Sequence, residues 1–134
     1  MGTFGACPVV ARVIAMACSI TITRFPSIKQ MSLQACWAQS TLSRMRGLLG
    51  RPPLRAGNGL LITPCTSVHT IGMQYPIDLV FLNGRASVIK LVTHLRPYRF
   101  AGCLRARHVL ELQAGSIDQY QIEIGQIFEW HSAQ

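Results

Sequence analysis

The feature that most constrains the fold is a pair of β-rich segments separated by Asn83-Gly84. Segments 77–82 and 85–92 on either side are rich in Val, Ile, Leu and Phe. Asn-Gly readily takes the two positive φ angles of a two-residue hairpin turn, so we expect an antiparallel hairpin here. A two-residue loop also fixes the register. The predicted pairs are Phe81 with Ala86, Leu79 with Val88, Ile77 with Lys90, and Asp78 with Ile89.

Short apolar segments divided by Gly and Pro occupy much of the remaining chain. Ser40 or Thr41 can cap a short helix that Pro52-Pro53 prevents from continuing, and Gly115-Ser116 opens a second helical turn. Many short strands with one or two short helices favour a small mainly-β domain, either a barrel or a sandwich. Further strands are expected at 33–38, 59–63, 67–71, 108–112 and 126–131.

The length of 134 residues fits one domain, which we expect to comprise residues 31–134. Residues 1–30 contain no acidic residue and show neither helical nor alternating periodicity. We interpret them as an extension that is disordered or belongs to a mis-assigned start, with a weak export signal or a structured element as the alternatives. The chain has no run of about 18 apolar residues, which argues against a transmembrane helix.

The balance of charged residues is strongly basic, with 13 Lys and Arg against 5 Asp and Glu and a net charge of +8. Such a charge favours anionic partners in general, whether nucleic acid, acidic lipid or acidic protein. The 5 cysteines are irregularly spaced and form no Cys-x-x-Cys pair, so neither a disulfide framework nor a zinc ribbon is predicted. Reduced thiols favour the cytoplasm, and export is the alternative if residues 1–30 are a signal.

Three stretches of the chain carry a family resemblance. They read RMRGLLGR at 44–51, GLLITPCTSVHTIGMQYPIDLVFL at 59–82, and VLELQAG at 109–115. Over residues 33–131 the chain resembles the prokaryotic family called domain of unknown function 192. The resemblance implies a compact β-rich domain without a settled activity, cytosolic in some members and exported in others. This chain departs from the family pattern in its short Asn83-Gly84 turn, in Gln126 where an acidic residue is expected, and in its first thirty residues.

The candidate site is the segment from Pro64 to Thr70, together with Met73 and Asp78. Cys, Ser, His and Asp in proximity are the residue types of hydrolases and metal sites. Along one extended strand, however, Cys65 and His69 would lie about 13 Å apart, at roughly 3.3 Å per residue, which is too far for a dyad. We therefore predict a ligand- or partner-binding accessory domain. Its site would be a groove around Ser67, His69, Met73 and Asp78, with Cys65 beside it.

Two alternatives belong to other classes of function. One is a thiol- or metal-dependent hydrolase that uses Cys65 and His69; Cys103 and His108 would complete a four-ligand set, but their spacing is unlike that of zinc sites, so we assign no metal or cofactor. The other is nucleic-acid binding, which is not favoured because only Tyr98 and Phe100 interleave with arginines. The arginines concerned form two clusters, Arg44, Arg46, Arg51 and Arg55, and Arg96, Arg99, Arg105 and Arg107. The sequence specifies no particular ligand, partner or oligomeric state.

Two acidic residues in apolar strands lead to separate structural expectations. Asp78 needs a partner, because an isolated carboxylate is costly to bury. An arginine, His69 or backbone N–H groups at a turn would serve. Glu111 alternates with Leu110 and Leu112, and we expect it on the solvent face of its strand.

Overall fold

The computed structural model describes residues 16–23, 31–38 and 57–132. This part of the chain forms strands with one short helix, so the fold is mainly β, as predicted. The elements in chain order are β1 Met16–Thr23, β2 Met31–Ala38, β3 Asn58–Ile62, β4 Ser67–His69, β5 Ile77–Leu82, β6 Val88–Leu95, β7 Phe100–Gly102, β8 His108–Gln113, α1 Ser116–Gln119 and β9 Ile127–Ser132.

Seven of the strands form one sheet in the order β6-β5-β8-β3-β2-β1-β9, and β4 pairs with β7 in a separate two-stranded sheet. The large sheet is antiparallel except where β2 runs parallel to β3. Its two edges meet at an isolated bridge between Ser87 and Ile127, flanked by backbone hydrogen bonds. The sheet therefore curls until its edges touch at one end without closing into a barrel, and the domain is sandwich-like.

Every residue of β5 is buried, because both faces of the curled sheet are covered. Alternation along the strand sends Leu79 and Phe81 into one hydrophobic core, and Val80 and Leu82 into another. The first core also contains Val68 and Met73, so the two-stranded sheet of β4 and β7 packs over this face. The site region is thus a separate layer on the outside of the main sheet.

The hairpin between β5 and β6 has a longer loop than we predicted. Asn83 and Ser87 are joined by a backbone hydrogen bond of 3.0 Å, and the N–H of Ala86 donates to the Asn83 carbonyl at 2.9 Å. The side-chain oxygen of Asn83 accepts the N–H groups of Arg85 and Ser87. The left-handed residue is Ala86, with a φ of 59°. The loop is therefore Gly84–Ala86, because the Asn83 amide stabilises a turn that begins at this residue rather than one centred on it.

The predicted register is wrong for the same reason. Phe81 lies opposite Lys90 and Leu79 opposite Val92, with irregularities between Ile77 and Leu79 and between Phe81 and Leu82. The extra loop residue and the two irregularities shift every predicted pair along β6.

Three other expectations, on the start of the domain, on Glu111 and on the first helix, can be compared with the structure. The sheet begins earlier than the domain start expected near Met31, because β1 pairs with both β2 and β9 and Ile20 is fully buried. Glu111 is not on a solvent face but is only 3% exposed, since it lies opposite Leu60 and Leu79 on the face of the sheet that forms the first core. The helix predicted after Ser40 or Thr41 lies outside the described residues. Within the described ranges, no helix has the length and apolar character needed to cross a membrane.

Candidate functional site

The two-stranded sheet of β4 and β7, called the ribbon below, carries an open groove. Val68 lies opposite Ala101 and both pack against the first core, which leaves the alternate residues facing outward. The outward pairs are Ser67 with Gly102 and His69 with Phe100. The groove has a volume of about 380 Å³ and is lined by residues of both strands.

The shape of the groove follows from the residues that face outward. Gly102 has no side chain, and a Cβ at this position would lie 3.4 Å from the Ser67 Cβ, so the floor is low at this end. At the other end the rings of His69 and Phe100 stand with centroids 6.2 Å apart and planes tilted by 52°. Phe100 is 74% exposed, so its ring face is available to a binding partner. The groove thus offers a hydroxyl, an imidazole and an aromatic surface.

A lysine from the main sheet reaches the edge of the groove. The Nζ atom of Lys90 donates a hydrogen bond of 2.7 Å to the Gly102 carbonyl and lies 5.7 Å from the centre of the Phe81 ring. This contact ties the ribbon to β6 and places a positive charge beside the groove floor.

Of the four predicted site residues, the structure places Ser67 and His69 at this groove and the other two elsewhere. Met73 is 6% exposed and belongs to the first core. Asp78 is fully buried, and along β5 it alternates to the same side as Val80 and Leu82, away from the ribbon. The imidazole of His69 and the carboxylate of Asp78 therefore do not line the same groove.

The carboxylate of Asp78 is held by backbone N–H groups from two segments. Its Oδ1 accepts the N–H of His94 at 2.9 Å, and its Oδ2 accepts those of Gly115 at 3.1 Å and Ile117 at 2.9 Å. These bonds join the end of β6 to the start of α1. Backbone N–H groups at a turn were one of the partners we expected for this residue, and this arrangement makes Asp78 a structural link between the two segments.

Cys65 and His69 make different contacts. The Cys65 thiol donates to the Ser67 carbonyl at 3.1 Å and packs against the first core, whereas His69 is exposed and its ring faces Phe100. In the described ranges no group of three or more His, Cys, Asp or Glu side chains is arranged to hold a metal ion.

His108, the other histidine considered as a ligand, is in a structural setting. Its Nδ1 lies 2.6 Å from the Thr63 Oγ1, and its ring packs edge-on against Trp130 with centroids 4.8 Å apart. Burial lowers the pKa of His108 below its ordinary value, and the charge of Arg107 adds to this effect. Both causes favour the neutral imidazole.

Phe100 and Gly102 were missed as site residues because the sequence predicts no strand between residues 92 and 108. The structure shows a short strand, β7, within this segment. The available signal was the interleaving of Arg with Tyr98 and Phe100 just before Gly102, which is compatible with a short exposed strand.

Comparisons with known proteins agree with the fold and give no activity. Residues 24–130 match the family DUF192, described as uncharacterized ACR. A UPF0127 protein of Pyrococcus furiosus is 30% identical over 109 residues, covering 77% of this chain and 91% of the relative. A UPF0127 protein of Thermococcus sibiricus is 30% identical over 101 residues, covering 69% and 63% of the two chains.

Two solved structures share the fold. One, from Sinorhizobium meliloti, is named as a candidate transcription regulator and has a TM-score of 0.80 at 18% identity, over 89% of this chain and 97% of the other. The second, a protein of unknown function from Novosphingobium aromaticivorans, has a TM-score of 0.74 at 19% identity, over 84% of each chain. At these identities the likeness concerns the fold alone. The family match and the two archaeal relatives show that this chain belongs to the uncharacterised DUF192 family.

Proposed function

We propose that this chain is a non-catalytic binding domain whose ligand or partner docks on the outer face of the ribbon. The observation that carries the proposal is the groove itself, where the exposed Phe100 and His69 rings stand beside the low floor at Ser67 and Gly102. An exposed aromatic surface with a few polar groups is typical of binding sites on small domains.

The contacts of the reactive side chains favour binding over thiol-dependent hydrolysis. An activated thiol needs a base such as imidazole within hydrogen-bonding distance. The Cys65 side chain packs against the first core, whereas the His69 ring lies on the outer face of the ribbon and contacts Phe100. Both groups are thus engaged in contacts that position the ribbon and shape the groove.

A fragment screen followed by amide chemical shifts tests the proposal. We expect binding fragments to shift the amides of Ser67, His69 and Phe100. Replacement of Gly102 by valine fills the groove floor, because the new Cβ contacts Ser67, and should abolish these shifts. Gly84→Val is the matched control, since a Cβ at Gly84 meets nothing within 4 Å. Shifts that cluster elsewhere, or that persist in Gly102→Val, would contradict the proposal.

We also propose that the domain acts in the cytoplasm. The 5 cysteines are irregularly spaced and form no Cys-x-x-Cys pair, which supports reduced thiols and a reducing compartment. Cell fractionation with an antibody tests this, and recovery of the protein outside the cytoplasm would contradict it.

A further inference from the structure

The ribbon and its two connecting turns display an unusual set of exposed apolar side chains. Ile71 is 44% exposed, Tyr98 62%, Phe100 74% and Leu104 96%. Ile71 and Tyr98 lie beyond the His69–Phe100 end of the ribbon, and Leu104 lies beyond the Ser67–Gly102 end. The apolar surface therefore extends past both ends of the groove.

The same turns are basic and lack exposed acidic residues. Between Asp78 and Glu111 the sequence contains no Asp or Glu, and these two carboxylates are themselves buried. The exposed acids of the described residues, Asp118, Glu123 and Glu129, all come later in the chain. The exposed arginines around the ribbon are Arg96, Arg99, Arg105 and Arg107. A ligand on this surface thus meets positive charge on the flanks of an apolar strip.

The turn that presents Tyr98 is held in place by a buried threonine. Thr70 is fully buried; its hydroxyl donates to the Arg96 carbonyl at 2.6 Å and accepts the N–H of Arg99 at 2.9 Å. The Thr70 carbonyl accepts the N–H of Tyr98. Tyr98 itself has a φ of 61°, a left-handed conformation that is unfavourable for a bulky residue. An aromatic ring is thus fixed outward at the cost of backbone strain, which pre-organises the surface for a partner.

We infer that the occupant of this surface is an acidic protein segment that carries at least one large apolar side chain. The inference rests on the proposed function and names its partner class. Exposed Tyr, Phe and Arg together are the composition of protein-binding hot spots. Single-stranded nucleic acid also binds Arg and aromatic rings, but Leu104 and Ile71 offer no ring face for a base to stack on. The aliphatic residues at both ends of the strip therefore favour a protein partner.

Fluorescence anisotropy with defined probes tests the inference. The probes are a labelled peptide of Asp and Glu with Leu and Trp anchors, the same peptide with Lys in place of the acids, the same peptide with Ser in place of the anchors, and a single-stranded oligonucleotide. We expect the first peptide to bind, more weakly as salt rises to about 300 mM, and both altered peptides to lose binding. The inference is overturned if the oligonucleotide binds more tightly, or if the first peptide shows no binding up to about 1 mM.

Three variants locate the binding. Phe100→Ser and Arg99→Gln should each weaken the acidic peptide by about tenfold or more, because Phe100 and Arg99 supply the apolar and the charged contacts. Arg85→Gln is the matched control; Arg85 is an exposed arginine in the β5–β6 turn, so the same change in net charge should leave affinity unaltered. Circular dichroism checks that all three variants fold. Equal affinities in Phe100→Ser and the unaltered protein would overturn the inference.

Light scattering during gel filtration tests a second copy as the occupant. Association that is lost both in Phe100→Ser and in Glu123→Gln would identify the segment around Glu123 of another copy as the occupant, and would overturn the inference of a separate partner protein. If no peptide binds while fragments still shift the groove amides, the partner is not an acidic protein segment and the proposed function stands. If neither the peptides nor the fragments bind, the proposed binding role of the ribbon is wrong.

Discussion

Replacement of Asp78 by asparagine tests whether the buried carboxylate holds the fold together. The side chain is fully buried and accepts three backbone N–H groups, from His94, Gly115 and Ile117. Asparagine has nearly the same shape but only one acceptor oxygen. With that oxygen facing Gly115 and Ile117, the amide NH₂ faces the N–H of His94, and a buried donor is left facing another donor.

The size of the effect follows from these contacts. One buried donor without an acceptor costs about 1–3 kcal/mol, and two bonds that change from charged to neutral lose about 1 kcal/mol each. The lower cost of burying a neutral amide offsets part of this sum. We expect Asp78→Asn to lower the free energy of unfolding by about 3 kcal/mol, a large share of the stability of a typical domain.

Urea unfolding followed by tryptophan fluorescence measures this change. Asp118→Asn is the control, because Asp118 is an exposed carboxylate on α1 and its loss should change stability by less than about 0.5 kcal/mol. If Asp78→Asn is as stable as the control, the three hydrogen bonds do not hold the end of β6 to α1. If Asp78→Asn keeps its stability but loses ligand binding in the groove, Asp78 belongs to the functional site and its role is not to stabilise the fold.

Two further predictions concern pH and the β5–β6 turn. Burial and the charge of Arg107 lower the pKa of His108 from 6.5, so the unfolded chain takes up a proton more readily than the folded one. The neutral imidazole therefore contributes its full share to the free energy of unfolding above pH 6.5. This contribution declines as the pH falls towards the folded-state pKa. His108→Gln should flatten this decline in urea midpoints measured between about pH 7 and pH 5, and an unchanged slope would contradict the assignment. Ala86→Gly should raise the free energy of unfolding by about 0.5–1 kcal/mol in the same assay, because glycine tolerates the φ of 59° without a Cβ penalty. A loss of stability would show that the turn is not strained at Ala86.

The β5–β6 hairpin shows how far local sequence rules reach. Alternation and turn chemistry correctly predict two paired strands around Asn83. They do not predict the register, because the Asn83 side chain can stabilise more than one loop length and β6 carries one extra residue at each of the two irregularities. His94, with a φ of 50°, lies in the irregular part of β6 between Val92 and Leu95, and its N–H donates to the Asp78 carboxylate there.

The groove shows that local sequence rules also predict only some of the residues of the candidate site. The sequence correctly marks Ser67 and His69 as neighbours on one face of a strand, and they line the groove. It did not predict the partner strand, because β7 is only three residues long and its alternation of Arg with Tyr98 and Phe100 is too short to distinguish a strand from a loop. Met73 and Asp78 are close to His69 in sequence, yet the chain turns between β4 and β5 and carries them into the two cores.

The sequence by itself determined the family, the mainly-β class, most strand positions and the basic character of the surface, because these depend on local residue preferences, composition and motifs. Only the tertiary structure decided which faces are buried. Glu111 is buried because it lies opposite Leu60 and Leu79 on the face that the ribbon covers, and Phe100 is exposed because it alternates with Ala101 on the outer face of the ribbon. Burial depends on which layer covers each face of a sheet, and that packing is set by contacts between segments far apart in the chain.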